Sequence, residues 1–208
     1  MLRNIIKAIF VIAVPLIIIF MIQGCDLKVI SMGNQQEIFV VADSSLWEDV
    51  GPDINDIFAA PIYTPVSEPS FLVRWIPLDK LNKYKDRMNI FLLGVKQSDK
   101  PVSQYLETIL PAEFKAGIED GSVFYLFNND LYASGQIGLI LFAKDTKTFI
   151  QKFNQYKQQI YNSFSEKYFN RLSKIMFDKG EQKDLEKFIL DKYGWKIRVQ
   201  HDYFIALQ

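Results

Sequence analysis

The chain has 208 residues, 49% hydrophobic and 23% charged; that length carries one domain with a real core, and that composition is globular rather than disordered. Its 24 basic and 24 acidic side chains leave no basic stripe to hold phosphates, which argues against a nucleic-acid partner. A single cysteine and a single histidine exclude a disulfide framework and the zinc sites usually built from nitrogen and sulfur ligands.

At the start of the chain, Arg3 and Lys7 precede an apolar run over residues 8–22, then Gln23, Gly24 and Cys25. The run is shorter than the roughly 20 residues of a comfortable membrane span, and Pro15 would kink it. The order is that of a secretory signal: a basic start, an apolar stretch, a small residue before the cut. Ile22-Gln23-Gly24-Cys25 resembles a lipobox, in which diacylglycerol alkylates the thiol and a peptidase cuts before the cysteine, between Gly24 and Cys25. Cys25 is therefore the expected lipidation site. Two or three acyl chains, at about 0.8 kcal/mol per buried methylene, hold a protein on a membrane. Asp26 resembles an inner-membrane retention signal used by some bacteria. The alternative is an uncleaved N-terminal anchor with an incidental cysteine. On the first reading residues 1–24 are a signal peptide, 25–36 a polar tether, and 37–208 a single domain in the cell envelope, facing the periplasm or exterior.

Residues 37–43 (EIFVVAD) read as a strand with no polar face, hence one covered on both sides. Ser45-Leu46-Trp47-Glu48 is a capping-box pattern. Gly51-Pro52 interrupts it, and Pro52 suits the first position of a fresh helix over residues 52–60, with Ile54, Ile57 and Phe58 inward. Residues 71–76 form a second strand, 78–85 a short helix and 88–95 a third, mostly apolar strand. The link between the second and third strands is near the lower limit for a parallel crossover, which leaves an antiparallel pair open. Pro101 and Pro111 punctuate a stretch with room for two short helices. Residues 122–127 and 136–143 read as strands joined around Asn128-Asn129-Asp130, with Gly135 and Gly138 marking a bulge or a close backbone approach. Asp145 caps the clearest helix. Phe149, Phe153, Tyr156, Ile160, Phe164, Tyr168, Leu172 and Ile175 recur three or four residues apart along it, one apolar stripe about 45 Å long, with a break near Ser163 or Ser165 as the alternative. Gly180 separates it from a helix over 181–192 that Gly194 ends. Residues 195–200 alternate as a half-exposed strand, and an apolar run over 203–207 comes next.

The 17 Phe, 10 Tyr and 3 Trp fall mostly on periodic positions, so core packing is preferred to a carbohydrate or aromatic-ligand platform. The expected fold class is α+β: a mixed β-sheet with helices mainly on one face, a ferredoxin-like order as one option, and one long amphipathic helix across the sheet.

Residues 37–54 (EIFVVADSSLWEDVGPDI), 68–81 (EPSFLVRWIPLDKL), 87–95 (RMNIFLLGV), 130–143 (DLYASGQIGLILFA) and 193–207 (YGWKIRVQHDYFIAL) together resemble a family of uncharacterised lipoproteins from Bacteroidota, domain of unknown function 4837. The resemblance implies a lipoprotein signal, in agreement with Cys25. Its members continue beyond the position of Leu207, so the chain is expected to be C-terminally incomplete relative to them. The family has no established activity, and no catalytic residue can be carried over.

Catalytic patterns are lacking. There is no nucleophile elbow, Walker loop or dinucleotide fingerprint. His201, beside Asp202, reads as a turn between apolar runs. Glu48, Asp49, Asp53 and Asp56 are acids near a helix start, where the helix dipole favours them. Asn128, Asn129 and Asp130 lack the twelve-residue calcium loop. Lys144, Lys147, Lys152 and Lys157 flank the long helix, as a solvated face in preference to a lipid-facing one. No catalytic residue, metal or cofactor is expected. The expected function is a non-catalytic binding or scaffolding module, tied to the membrane through lipid on Cys25 and serving an envelope protein partner. A carboxylate-dependent envelope hydrolase is the alternative, and a two-lobed solute-binding protein is disfavoured by length.

Overall fold

The computed structural model describes residues 28–63, 65–204 and 206. The expected signal peptide, Gly24 and Cys25 lie outside them. Among the described residues no helix is long and apolar enough to cross a membrane.

Strand β1 (Glu37–Ala42) lies inside a five-stranded sheet. It pairs in parallel with β4 (Leu72–Ile76), Val40 opposite Trp75, and with β5 (Asn89–Val95), Val41 opposite Leu92. β5 also pairs in parallel with β7 (Ile137–Ala143), and β6 (Tyr125–Asn129) closes the edge antiparallel to β7. The order is β4-β1-β5-β7-β6, so the sheet is mixed as expected. A small hairpin of β2 (Pro61–Ile62) and β3 (Glu68–Pro69) sits apart.

Alternate residues of the apolar strands feed two different cores, which is why these strands have no polar face. Ile38, Val40, Ala42, Phe91, Leu93, Leu139 and Leu141 face one side. That side is covered by helix α1 (Ser44–Phe58) and the long helix α5 (Thr146–Phe177). Phe39, Val41, Ile90, Leu92, Ile140 and Phe142 face the other. Shorter elements cover it: a 3-10 turn (Leu78–Lys80), α2 (Leu81–Tyr84), α3 (Pro101–Ile109) and α4 (Ala112–Asp120). The two longest helices among the described residues thus share one face.

The relation of β4 to β5, the ferredoxin-like option and the break at Pro52 are corrected. β4 and β5 run parallel, because the short link between them passes over β1 instead of joining neighbours, and Leu81 packs on the second core. The resulting order of four parallel strands and one antiparallel edge is not the ferredoxin-like one. Helix α1 runs unbroken through Pro52. Gly51 precedes that proline and has no Cβ to clash with its ring, and the indole of Trp47 covers the glycine instead.

Helix α5 is 32 residues long, about 48 Å. The side chain of Asp145 accepts a hydrogen bond from the Thr148 amide at 2.7 Å. Phe149, Phe153, Ile160, Phe164 and Tyr168 are buried. The ring of Phe164 meets those of Phe58, Phe71 and Phe91 edge-on, with centroids 5.1–5.6 Å apart. No break occurs at Ser163 or Ser165. The stripe stops short of Ile175, which is 49% exposed because the helix has by then passed the end of the sheet.

Helix α6 (Lys183–Tyr193) ends at Gly194 as expected. The strand expected over residues 195–200 does not form; a single bridge joins Gln200 to Glu181. The segment lies against the end of α5, where the Arg198 guanidinium stacks 3.7 Å over Phe177. The stretch read as a free tether is also different: from Val29 onward it is docked on the domain. Ser31 donates its amide to Ser134 at 2.8 Å, and Met32 to Asp86 at 2.9 Å.

Candidate functional site

In the order β4-β1-β5-β7 the chain leaves β1 in one direction and returns on its other side. Such a switch point opens a crevice at the carboxyl ends of the strands, the usual place for a ligand in open sheets of this kind. Here β1, β5 and β7 run out toward the amino-terminal ends of α1, α3 and α5.

Asp43 follows β1 directly and is only 8% exposed. Its Oδ1 accepts from the Val102 amide at 3.0 Å; its Oδ2 accepts from the Ser103 amide and from the Ser103 hydroxyl, both at 3.1 Å. Ser103 Oγ in turn accepts from the Val95 amide at 3.2 Å. The carboxylate thus caps α3 and ties that helix to the end of β1, while the Ser103 hydroxyl ties it to the end of β5. It makes no side-chain cap to α1, whose first turn it precedes.

Two cavities flank this strut. One, of about 420 Å³, is lined by Ser45, Asp49, Gln97, Ser98, Asp99 and Thr146. The other, of about 510 Å³, lies between Ser44, Trp75, Pro77, Leu78 and Lys100. The Trp75 indole is fixed there by its N–H donated to the Ala42 carbonyl at 2.9 Å. Beside Thr146, the carboxyl of Asp145 is held below the usual range by hydrogen bonds from Thr148.

The chemistry of the crevice is set by these groups. The α3 amino terminus is where a phosphate would dock in a nucleotide-binding sheet, but the chain's own carboxylate already fills it. Asp43, Asp49 and Asp99 outnumber Lys100. Hydroxyls come from Ser45, Ser98 and Thr146. The site therefore suits a cationic or hydroxyl-bearing group and repels a phosphate.

Of the acids, lysines and histidine weighed in the sequence for chemistry, Asp49 lines this crevice. His201 lies in an exposed turn, its Nδ1 3.9 Å from Asp202. Asp130 sits at the opposite end of the sheet, where its carboxylate accepts from the Gly135 amide. Lys152 donates to the Gly121 carbonyl at 2.6 Å, at the end of α4. Among the described residues no cluster of three or more His, Cys, Asp or Glu side chains could hold a metal. A hollow of about 610 Å³ beside α6 is lined by Glu181, Lys183, Glu186 and Arg198. Those charges are paired with one another, and hydrogen bonds from Arg198 and Lys183 bring the Glu181 carboxyl down to about 2. Asp43 itself was missed by the sequence reading. The available signal was an acid placed directly after an all-apolar strand.

A family model described as a domain of unknown function (DUF8532) matches residues 31–177. The match takes in every strand among the described residues and ends with α5; helix α6 and the residues after it lie outside. It replaces the resemblance to domain of unknown function 4837, and it carries no indication of a Bacteroidota source. The segments behind that resemblance are apolar strands and helix starts, which many parallel sheets share. No curated protein and no solved structure matches the chain.

Proposed function

We propose that this chain, which belongs to the DUF8532 family, is an envelope protein held on a membrane by lipid on Cys25, and that it acts as a non-catalytic binding module through the crevice beside Asp43. The supporting observation is the opposition of two poles. The chain enters at the amino ends of the strands, where Ile30 bridges to Ser134 and Met32 to Arg87. The crevice lies at the carboxyl ends. Strands of five to seven residues separate the two by about 20 Å at roughly 3.3 Å per residue. Lys28 is three residues from Cys25, a reach of about 10 Å at most. A lipid on Cys25 would keep the amino pole at the membrane and turn the crevice outward, where a partner in the envelope can reach it.

The occupant we favour is a lysine- or arginine-bearing loop of an envelope protein, for which Asp49 and Asp99 supply the counter-charges. The hydrolase alternative would draw on the same acids, but Asp43 is committed to three hydrogen bonds and is not available to activate a water. Intact mass of the membrane-extracted protein tests the anchor: an acylated chain starting at Cys25 is expected, and an unmodified Met1 start refutes it. A photocrosslinking residue at Gln97 tests the crevice. It should capture a defined partner that Asp49→Lys abolishes, whereas capture insensitive to that charge reversal refutes the reading.

A further inference from the structure

The end of the sheet opposite the crevice has a chemistry of its own. Val29, Ile30 and Met32 are 61%, 78% and 53% exposed, although the backbone of this stretch is hydrogen-bonded to the domain. Three neighbouring apolar side chains are thus held outward by a fixed backbone. A cavity of about 480 Å³ lies at the same pole, lined by Asp130, Gly135, Lys167, Asn170, Arg171 and Lys174. Arg171 is anchored inside it: Nη1 donates to the Met88 carbonyl at 2.9 Å and Nη2 to Asn89 Oδ1 at 2.9 Å. Its Nε is buried with no hydrogen-bond partner. Lys167 and Lys174, one turn before and after it on α5, carry the positive charge at the rim. Lys28 joins them through a hydrogen bond to the Asp130 carbonyl.

Helix α5 begins at the carboxyl pole, passes Arg171 at the amino pole and continues about 9 Å further to Phe177. The segment after it, outside the family match, hangs from this end of the molecule. It exposes Tyr193, Trp195, Tyr203 and Phe204, the last at 85%. Amphipathic aromatics and lysines together are the side chains that favour the membrane–water boundary. The lysines flanking the start of α5, Lys144 and Lys147, are at the other pole and do not take part.

We infer that the amino pole is a bilayer-contact face: Ile30 and its apolar neighbours enter the headgroup region while Lys28, Lys167 and Lys174 pair with anionic phospholipid phosphates. The inference rests on the anchor reading, since it is lipid on Cys25 that brings this pole within about 10 Å of the surface. The bilayer is preferred to a second copy because the cavity at this pole is lined by three cations, Lys167, Arg171 and Lys174, against the single acid Asp130. Anionic lipid complements that imbalance; an identical face does not.

The test uses the lipidated full chain, its mass verified first, reconstituted in vesicles of phosphatidylcholine with or without phosphatidylglycerol. Spin labels are placed through Ile30→Cys or Ser98→Cys. With phosphatidylglycerol the label at 30 should be reached by oxygen in the lipid phase, and the label at 98 should stay in water. Lys167→Glu with Lys174→Glu should lower the contact equilibrium by at least about fivefold per lysine, and the Lys→Arg pair should retain it. A label at 30 as water-accessible as that at 98, in both vesicle types, overturns the inference and leaves the anchor standing. Protection that depends on protein concentration and not on lipid composition assigns the face to a second copy and overturns it too. A chain without lipid is detected by mass alone and refutes the anchor reading.

Discussion

Replacing Asp43 with alanine removes the side chain that joins the end of β1 to the start of α3. Three hydrogen bonds to an ionised acceptor disappear together, leaving the amides of Val102 and Ser103 without their partner. Loss of a helix cap alone costs about 1 kcal/mol. Hydrogen bonds to a charged group contribute about 1.5–3 kcal/mol each, but the adjoining cavity lets water replace part of what is lost. The expected destabilisation is therefore about 2–4 kcal/mol. Asp43→Asn should fall between, at about 1–2 kcal/mol: one acceptor remains, and an NH2 group is turned toward the Ser103 amide, donor against donor. Asp49→Asn, on the exposed side of the same crevice, should stay within about 0.5 kcal/mol. Urea denaturation of the three variants, followed by tryptophan fluorescence, measures the series. A cycle with Ser103→Ala should return a coupling of about 0.5–3 kcal/mol. Asp43→Ala within about 0.5 kcal/mol of the parent, on the scale of an ordinary surface change, would refute the idea that this carboxylate organises the switch point.

Phe164→Ala should cost about 3–5 kcal/mol, because a fully buried ring between Phe58, Phe71 and Phe91 leaves a cavity that a helix crossing the sheet cannot close; a loss below about 1 kcal/mol in the same assay would mean α5 does not cross there. Gly138→Ala should cost about 1–3 kcal/mol, since its Cβ would collide with the Asn128 carbonyl on the paired strand β6; amide exchange should show the loss concentrated in β6. In the segment around α6, hydrogen bonds from Arg198 first and Lys183 second bring Glu181 down to about 2 from 4.5. A depressed carboxyl stabilises the folded form above its unfolded value, so this contribution is complete above about pH 4.5 and fades as pH falls toward 2. Chemical shifts of the Arg198 side chain should track that titration, and Glu181→Gln should abolish it.

The all-apolar runs at β1, β5 and β7 and the stripe along α5 were legible in the sequence, because burial on one or both faces is written into local periodicity. Helices α3 and α4 were legible only as room for two short helices, marked by Pro101 and Pro111 at their starts and by no clear periodicity. The close approach at Gly138 was signalled by the glycine itself. The order β4-β1-β5-β7-β6 was not legible: parallel strands carry no mark of their neighbours, and a link as short as residues 77–88 reads as a poor crossover until β1 is seen beneath it. Pro52 looked like a helix start because its ring forbids an interior position in most contexts, and only the bare Gly51 and the Trp47 indole make it tolerable there. The alternation over residues 195–200 is strand-like in isolation, yet the segment packs on the end of α5 and not on the sheet. Asp43 is the sharpest case. Sixty residues separate it from Ser103, and nothing near either residue announces the other. Composition and pattern determined that this chain buries an apolar sheet under a long helix; the tertiary fold alone decided which ends of that sheet meet, and so where its crevice and its basic, apolar pole would lie. Contacts between residues far apart in the chain come from strand pairing, which local periodicity cannot encode.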